Sequence, residues 1–173
     1  CTVALTKRAP LQKKIVATRA RVCPASPFAV MLAARNLSRR ALSGKAPSLA
    51  HFAITQHDGV AVVRMDSPNE PVIVLSESVM KEMPRVLDYI ESEASITSAV
   101  LISAKPGCFI AGADIKMLSA ATSADQVEKE LCLPGHALMD RLENGKPIVA
   151  AIDGACLGGG LEVALACAYR VCA

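Results

Sequence analysis

The sequence predicts an α/β fold, and two observations lead to this prediction. Three runs rich in β-branched and small apolar residues, at Gly59–Met65, Ser98–Ala104 and Pro147–Ile152, have the composition of buried strands. Stretches with helical periodicity lie between them, at Leu75–Glu91 and from Ala124 onward. Strands that alternate with helices along a chain are typical of α/β folds, and 173 residues with 52% hydrophobic content suffice for one such domain.

The first two elements have clear local signals. Gly59–Met65 lies between His-Asp-Gly and Asp-Ser-Pro, which are turn sequences, so it is predicted as a strand closed at both ends. Leu75–Glu91 is predicted as a helix, because its apolar residues recur at the spacing of one helical face. These residues are Val79, Met83, Val86, Leu87 and Ile90.

The later elements continue the alternation. After the strand Ser98–Ala104, two helical pieces are predicted at Ala124–Leu131 and His136–Leu142. They are separated at Pro134-Gly135, because proline and glycine interrupt helices. After the strand that ends at Ile152, a helix is predicted from position 158 to about 168, followed by an extended segment at 170–173.

The charges divide the chain into two parts. Residues 1–57 contain ten basic and no acidic residues, whereas the remainder contains nine basic and sixteen acidic residues, a net charge of −7. A basic, acid-free segment rich in Ala, Ser and Arg is typical of a mitochondrial transit peptide. We therefore expect residues 1–50 to be a transit peptide with an upstream segment, residues 51–173 to be the folded domain, and the location to be the mitochondrial matrix.

Two other interpretations of the basic segment stay open. Val22–Ala34 is an uncharged run of thirteen residues, long enough for the apolar part of a secretory signal but too short to span a bilayer. A basic arm can also bind nucleic acid. However, the chain has three Phe, two Tyr and no Trp, so it lacks the aromatic residues on which bases stack, and we expect no nucleic-acid partner.

The cysteines and glycines predict neither a metal site nor a nucleotide loop. The seven cysteines are odd in number and form no Cys-x-x-Cys pair, so we expect reduced thiols. Gly158–Val163 does not complete a Gly-x-Gly-x-x-Gly motif, and Asp140 stands where a Walker loop needs glycine. We therefore expect no metal and no bound cofactor.

Lys105–Lys116 is the first chemically unusual segment. It leaves a predicted strand through a Pro-Gly turn and then crosses Ala111, Gly112 and Ala113. Small side chains allow a ligand to approach a backbone N–H closely. A tight turn would explain the same residues without a ligand, and an aspartate in the position of Asp114 is more often a cap or turn acceptor for the following helix than a catalytic acid.

The second unusual segment is Ile152–Tyr169. Glu162 is the one formal charge between Asp153 and Arg170, and three glycines precede it at the predicted start of a helix. A helix start offers unpaired N–H donors, which glycines expose. Burial in this apolar run would raise the pKa of the Glu162 carboxyl and suit it to proton transfer. A solvated glutamate in the first helical turn is the alternative.

Together these segments resemble the two signatures of the crotonase (enoyl-CoA hydratase/isomerase) superfamily. The matching stretches are Phe109-Ile-Ala-Gly-Ala-Asp-Ile-Lys116 and Lys146-Pro-Ile-Val-Ala-Ala-Ile-Asp-Gly-Ala-Cys-Leu-Gly-Gly-Gly-Leu-Glu162. The resemblance covers about residues 52–173 and is closest to the hydratase portion of the multifunctional alpha subunit of mitochondrial fatty-acid oxidation. It implies a crotonase-like spiral of ββα units, truncated at the C-terminus in this chain.

The resemblance also implies roles for individual residues. Ala113 N–H and Gly159 N–H would form an oxyanion hole for a thioester carbonyl, and Glu162 would be the first of two glutamates that hold and activate water. The second glutamate would follow the last residue of this chain. The implied substrate-binding residues are Ala111 and Lys116, beside the adenine and phosphates of coenzyme A, with Gly112, Asp114 and Gly158. Coenzyme A would enter as part of the thioester substrate.

The implied function is hydration of trans-2-enoyl-CoA to 3-hydroxyacyl-CoA in mitochondrial fatty-acid β-oxidation, by an enzyme of which this chain alone would be an inactive fragment. Enoyl-CoA isomerisation and non-catalytic binding of acyl-CoA stay open as alternatives. The implied partners are the acyl-CoA substrate, further copies of the chain or a thiolase subunit, and the inner membrane for the full complex.

Overall fold

The computed structural model describes residues 46–173, and within that range seven strands form two sheets. The larger sheet has the strand order β1-β2-β3-β5-β7, and the smaller one pairs β4 with β6. The strands are β1 Phe52–His57, β2 Val60–Met65, β3 Ser98–Ser103, β4 Cys108–Ile110, β5 Ile148–Ile152, β6 Ala155–Cys156 and β7 Tyr169–Cys172.

The helices lie between successive pairs of strands. In chain order they are α1 Glu77–Ser92, α2 Ile115–Ala120, α3 Ala124–Val127, α4 Leu133–Asn144 and α5 Gly159–Ala166. A π-helical turn, Glu128–Cys132, joins α3 to α4. The order of elements repeats a ββα unit three times within the described residues, as the predicted spiral requires.

The larger sheet begins with a hairpin and continues with parallel strands. β1 and β2 are antiparallel around Asp58 and Gly59, whose φ angles of 47° and 82° are those of a tight two-residue hairpin turn. The neighbouring pairs β2–β3, β3–β5 and β5–β7 are all parallel. This arrangement confirms the α/β prediction.

The predicted break at Pro134-Gly135 is wrong. Pro134 is the second residue of α4, and the irregularity lies just before it, in the π-helical turn. A proline cannot donate to the helix and its ring crowds the preceding turn, so it is tolerated directly after a wider turn. The short strands β4 and β6 and the first strand β1 gave no signal that we recognised in the sequence.

The core lies between the larger sheet and the helices. Its largest fully buried side chains include Met65, Met83, Ile90 and Phe109. The opposite face of the sheet also carries buried residues: Val62, Val100, Ile102 and Ala151. Burial on both faces explains why these strands read as continuous apolar runs in the sequence.

Two further expectations concern the ends and the thiols. The predicted transit segment falls almost wholly on residues 1–45, which lie outside the described residues. Among residues 46–173, no helix combines the length and the apolar character needed to cross a bilayer. The five cysteines in that range are free thiols, as predicted.

Candidate functional site

The two segments singled out in the sequence lie side by side. β4 leads into residues 111–114, and β6 leads into Gly158–Gly160. The two strands are parallel neighbours, with Ile110 opposite Cys156. Leu157 N–H then donates to the Ile110 carbonyl at 3.0 Å, so both segments leave the same edge of the smaller sheet together.

Glycines allow the two backbones to approach closely. Gly112 has φ +112° and Gly158 has φ +49°, conformations that residues with side chains rarely adopt. A Cβ on Gly158 would lie 3.8 Å from the Gly112 Cα, and a Cβ on Gly160 would lie 2.5 Å from the Ile110 carbonyl oxygen. No side chain therefore stands between the two segments.

A third segment, residues 73–75, supports both of them. Ala111 N–H donates to the Ile73 carbonyl and Leu75 N–H to the Gly112 carbonyl, each at 2.8 Å. Asp114 N–H donates back to the Leu75 carbonyl at 3.3 Å. The Leu75 side chain also reaches Gly159, where a Cβ would lie 2.8 Å from Leu75 Cδ1. Sequence reasoning did not identify these contacts of Leu75, because they join segments far apart in the chain.

Unpaired backbone donors gather at this junction. Among the described residues, Ala113 N–H and Gly159 N–H donate to no protein acceptor, and the same holds for the adjacent Gly112 and Gly158 N–H groups. Gly159 is the first residue of α5, where helix N–H groups have no intrahelical partner. Ala113 pairs with Leu75 in a parallel bridge whose hydrogen bonds use Gly112 and Asp114 instead.

Glu162 lies in the first turn of α5, next to Gly159. Its Oε2 is 3.9 Å from the position that a Cβ on Gly159 would occupy. Of the two interpretations left open for Glu162, the structure agrees with the solvated one, since its side chain is exposed. The reason is that α5 buries one narrow face, while Leu161 and Leu165 on its other side are also exposed.

Asp114 and Lys116 form the start of α2. Asp114 caps this helix, because its Oδ1 accepts the Lys116 N–H at 2.8 Å. The Lys116 side chain is exposed. Asp114 also borders a cavity of about 410 Å³, together with Glu77, Met117, Ala120, Ala121, Gln126, Glu130 and Leu131. Asp114, which the resemblance implies to be a substrate-binding residue, is thus observed as a helix cap at the edge of this cavity.

The thiols near the site are poor nucleophiles. Cys156 Sγ lies 3.5 Å from the Gly160 carbonyl oxygen. Burial raises the pKa of the Cys156 thiol, and the neighbouring Cys172 and Cys108 raise it further. Burial also raises the pKa of Cys167 to about 11. Since a thiolate is the reactive form of cysteine, these thiols are disfavoured as nucleophiles. The groups that distinguish the junction are therefore the N–H donors of Ala113 and Gly159 and the carboxylate of Glu162.

Comparison with known proteins gives consistent matches. A family model described as enoyl-CoA hydratase/isomerase matches residues 55–173. The fatty acid oxidation complex subunit alpha of Idiomarina loihiensis is 48% identical over 116 residues, 66% of this chain and 16% of that protein. The same subunit of Shewanella halifaxensis is 46% identical over 123 residues, 70% of this chain and 17% of that protein.

Solved structures match over a larger share of their length. An enoyl-CoA hydratase/carnithine racemase from Magnetospirillum magneticum is 27% identical, with a TM-score of 0.66 over 72% of this chain and 47% of that chain. An enoyl-CoA hydratase from Bacillus anthracis is 27% identical, with a TM-score of 0.62 over 70% and 47%. The chain thus spans about half the length of these structures, and about one sixth of the curated relatives.

These relatives correct the prediction about location. They are proteins of bacteria, which have no mitochondria, so the prediction of the mitochondrial matrix is wrong. The transit peptide likewise has no support from them. The error came from reading composition alone: a basic, acid-free segment was assigned to one targeting class although its charge pattern is not unique to that class.

Proposed function

The chain belongs to the enoyl-CoA hydratase/isomerase family, and we propose that it supplies the thioester-binding part of an enzyme that hydrates trans-2-enoyl-CoA to 3-hydroxyacyl-CoA in fatty-acid β-oxidation. One observation carries this proposal. Two unpaired N–H groups, on Ala113 and Gly159, stand at one junction with the exposed carboxylate of Glu162. The names of the curated relatives, subunits of a fatty acid oxidation complex, support the pathway.

The unpaired donors suit the charge that the reaction creates. When water adds to C3 of a 2-enoyl thioester, electrons move through the conjugated double bond onto the thioester oxygen. Donors already fixed by backbone structure can stabilise this negative charge without reorganising. Ala113 N–H is held by the pairing of its neighbours with Leu75, and Gly159 N–H by its place at the start of α5.

Glu162 suits the proton transfers. A carboxylate can accept a proton from the attacking water, and its acid form can return a proton to C2. Its exposure gives water access, and its place one turn into α5 keeps it beside Gly159. Proton transfer by a positioned side chain typically contributes about 100- to 10,000-fold to the rate.

Substrate binding would use the surrounding backbone. Gly112 and Gly158 keep side chains out of the junction, so a thioester can reach both donors. Lys116 is an exposed cation that follows Ala113 closely in the chain. We propose that Lys116 and Ala111 contact the coenzyme A portion of the substrate. Asp114 would act indirectly, since its carboxylate caps α2.

Isomerisation of an enoyl-CoA is the second candidate. It is favoured by one observation: α5 carries a single carboxylate, Glu162, and moving a double bond requires one base that shuttles a proton. The same two N–H donors would stabilise the same thioester enolate. An assay with both 2-enoyl- and 3-enoyl-CoA distinguishes the two reactions.

Association with other subunits is also proposed. The matched relatives are by name subunits of a complex, which supports assembly into one. A thiolase subunit is the proposed partner, because 3-hydroxyacyl-CoA leads, after oxidation, to a 3-ketoacyl-CoA that a thiolase cleaves. Co-purification of the two subunits would test this.

The experiment on function uses a chimera, in which residues 55–173 of this chain replace the matching segment of the Idiomarina loihiensis subunit. Hydration of a short 2-enoyl-CoA is followed by loss of ultraviolet absorbance, with the parent subunit assayed in parallel. A rate in the chimera within about tenfold of the parent's supports the proposal, since a tenfold change is small beside the loss of one transition-state contact. A folded chimera without turnover, beside an active parent, contradicts it.

Gly159→Pro in the chimera tests the oxyanion donor. Proline lacks an N–H yet fits the first position of a helix, so the donor is removed while α5 is kept. The expected loss in kcat is roughly 100- to 1,000-fold. Gly159→Ala is the matched control, because it adds a similar contact with Leu75 but retains the N–H. Equal rates in the two variants would contradict the assigned donor.

A further inference from the structure

Arg170 lies at the opposite end of α5 from the proposed oxyanion donor. Its Nη1 donates to the carbonyl oxygens of Ala164, Leu165 and Cys167 at 3.0, 3.2 and 3.0 Å. These carbonyls end the helix, where carbonyl groups have no intrahelical partner. A positive charge at this end also interacts favourably with the helix dipole. The guanidinium thus caps α5 from outside the helix.

α5 has few other anchors. No side chain caps its first turn, which begins after Gly158. Its buried residues are the small or β-branched Gly160, Val163 and Ala164, whereas the leucines on its other side are exposed. A helix of eight residues is marginal without tertiary contacts. Its position therefore depends on this narrow buried face together with the contacts that hold its ends.

Arg170 connects this helix to the larger sheet. It belongs to β7 and lies opposite Ala150 of β5 in a parallel pair. A guanidinium presents several N–H donors in a rigid plane, whereas a lysine ammonium is a flexible point charge. The Arg170 guanidinium therefore fixes the end of α5 relative to the sheet. A lysine at this position would reproduce these contacts only in part.

We propose that Arg170 is a positioning residue, which holds α5 so that Gly159 N–H and Glu162 are aimed at the substrate. This inference rests on the proposed function. Arg170 itself touches no reacting atom, because it contacts the end of the helix remote from Gly159. A displacement of about 1 Å at a catalytic group can cost roughly 100-fold in rate.

The first test follows the Gly159 amide by NMR in the 173-residue chain. In Arg170→Met we expect the Gly159 amide signal to shift and the amides of α5 to exchange faster with solvent, while the amides of β3 are unchanged. Arg170→Lys should restore part of the change. Arg141→Met is the matched control: it removes a guanidinium that pairs with Asp88 and Glu91 of α1, and should leave the Gly159 signal in place.

The second test uses the chimera. Arg170→Met should lower kcat roughly 10- to 100-fold, with KM changed less than about twofold, because aligned donors act mainly in the transition state. Arg141→Met should keep kcat. An unchanged Gly159 amide in Arg170→Met, or an unchanged kcat in an active chimera, overturns the positioning role. An inactive unsubstituted chimera overturns the proposed function instead, and the Gly159 amide then decides the inference about Arg170.

Discussion

Gly160 and Gly135 are both helical glycines, but their surroundings differ. A Cβ on Gly160 would lie 2.5 Å from the Ile110 carbonyl oxygen and 2.7 Å from the Ile110 Cβ, whereas a Cβ on Gly135 would meet nothing within 4 Å. Gly160 therefore sets how closely α5 can pack on β4. The proposed donor Gly159 directly precedes Gly160 in α5. Two adjacent residues therefore serve the packing of the helix and the proposed function.

We expect opposite effects of alanine at these two positions in the 173-residue chain. Gly160→Ala should lower the free energy of unfolding by about 1–3 kcal/mol, because the added methyl overpacks a fixed backbone. Gly135→Ala should raise it by roughly 0.5–1 kcal/mol, because alanine favours the helix. Urea unfolding measures both. Similar effects of the two changes would mean that the contact between Gly160 and Ile110 is looser than the structure has it.

Glu162 and Glu143 provide a second comparison at the scale of single residues. Both are exposed glutamates on helices, but only Glu162 lies beside an unpaired donor. In the chimera, Glu162→Gln should retain the thermal stability and lose roughly 100- to 10,000-fold in kcat, since an amide cannot accept the proton. Glu143→Gln should leave kcat as it is. A Glu162→Gln enzyme with normal turnover would remove this carboxylate from the mechanism.

At the scale of elements, Glu82 joins the start of β1 to α1. Its two carboxylate oxygens accept the N–H groups of Ala50 and His51 at 2.8 and 2.9 Å, and the His51 Nδ1 lies 3.5 Å away. Burial alone would raise the pKa of Glu82, but these N–H groups and the His51 ring outweigh it, so the pKa is lowered. The ionised carboxylate is therefore the form that favours the folded chain.

This contact predicts how stability depends on pH. Because the pKa of Glu82 is lower in the folded chain than the ordinary value of 4.5, its contribution is complete above that value and is lost as the pH falls through the folded pKa. Glu82→Gln should thus be less stable than the unsubstituted chain at pH 7, and this difference should shrink in acid. Urea unfolding between pH 3 and pH 7 measures it.

Glu77→Gln is the control for that experiment. The pKa of Glu77 is also lowered, through its hydrogen bond and charge interaction with Lys81, but both side chains are exposed. Solvent screens such pairs, so this substitution should change stability little at any pH. If Glu77→Gln reproduced the pH dependence of Glu82→Gln, the tether between β1 and α1 would not be its source.

At the scale of the whole molecule, the sequence predicted the parts that depend on local pattern. The strands β2, β3 and β5 and the helices α1 and α5 were recognised from apolar runs and periodicity, and the two signatures identified the junction that carries Gly159. The support given by Leu75 and the cap given by Arg170 could not be predicted, because both depend on which segments the fold brings together. The sequence left the burial of Glu162 undecided for a related reason: an apolar run does not reveal which of its faces is covered.

That uncovered face is the basis of the last prediction. Leu157, Leu161 and Leu165 recur at intervals of four residues, so they lie on one side of α5 and the turn before it. Their exposed fractions are 58%, 47% and 61%. A row of exposed leucines favours association, because burying apolar surface between two molecules removes it from water. We expect the 173-residue chain to associate with increasing concentration, as measured by sedimentation velocity. The double change Leu161→Gln and Leu165→Gln should weaken association, without lowering the thermal midpoint, since neither side chain belongs to the core.

Leu133→Gln is the control, because Leu133 is similarly exposed, at 54%, but lies on α4. A chain that stays monomeric throughout, or a control that weakens association as much as the double change, would show that this row is not the associating surface.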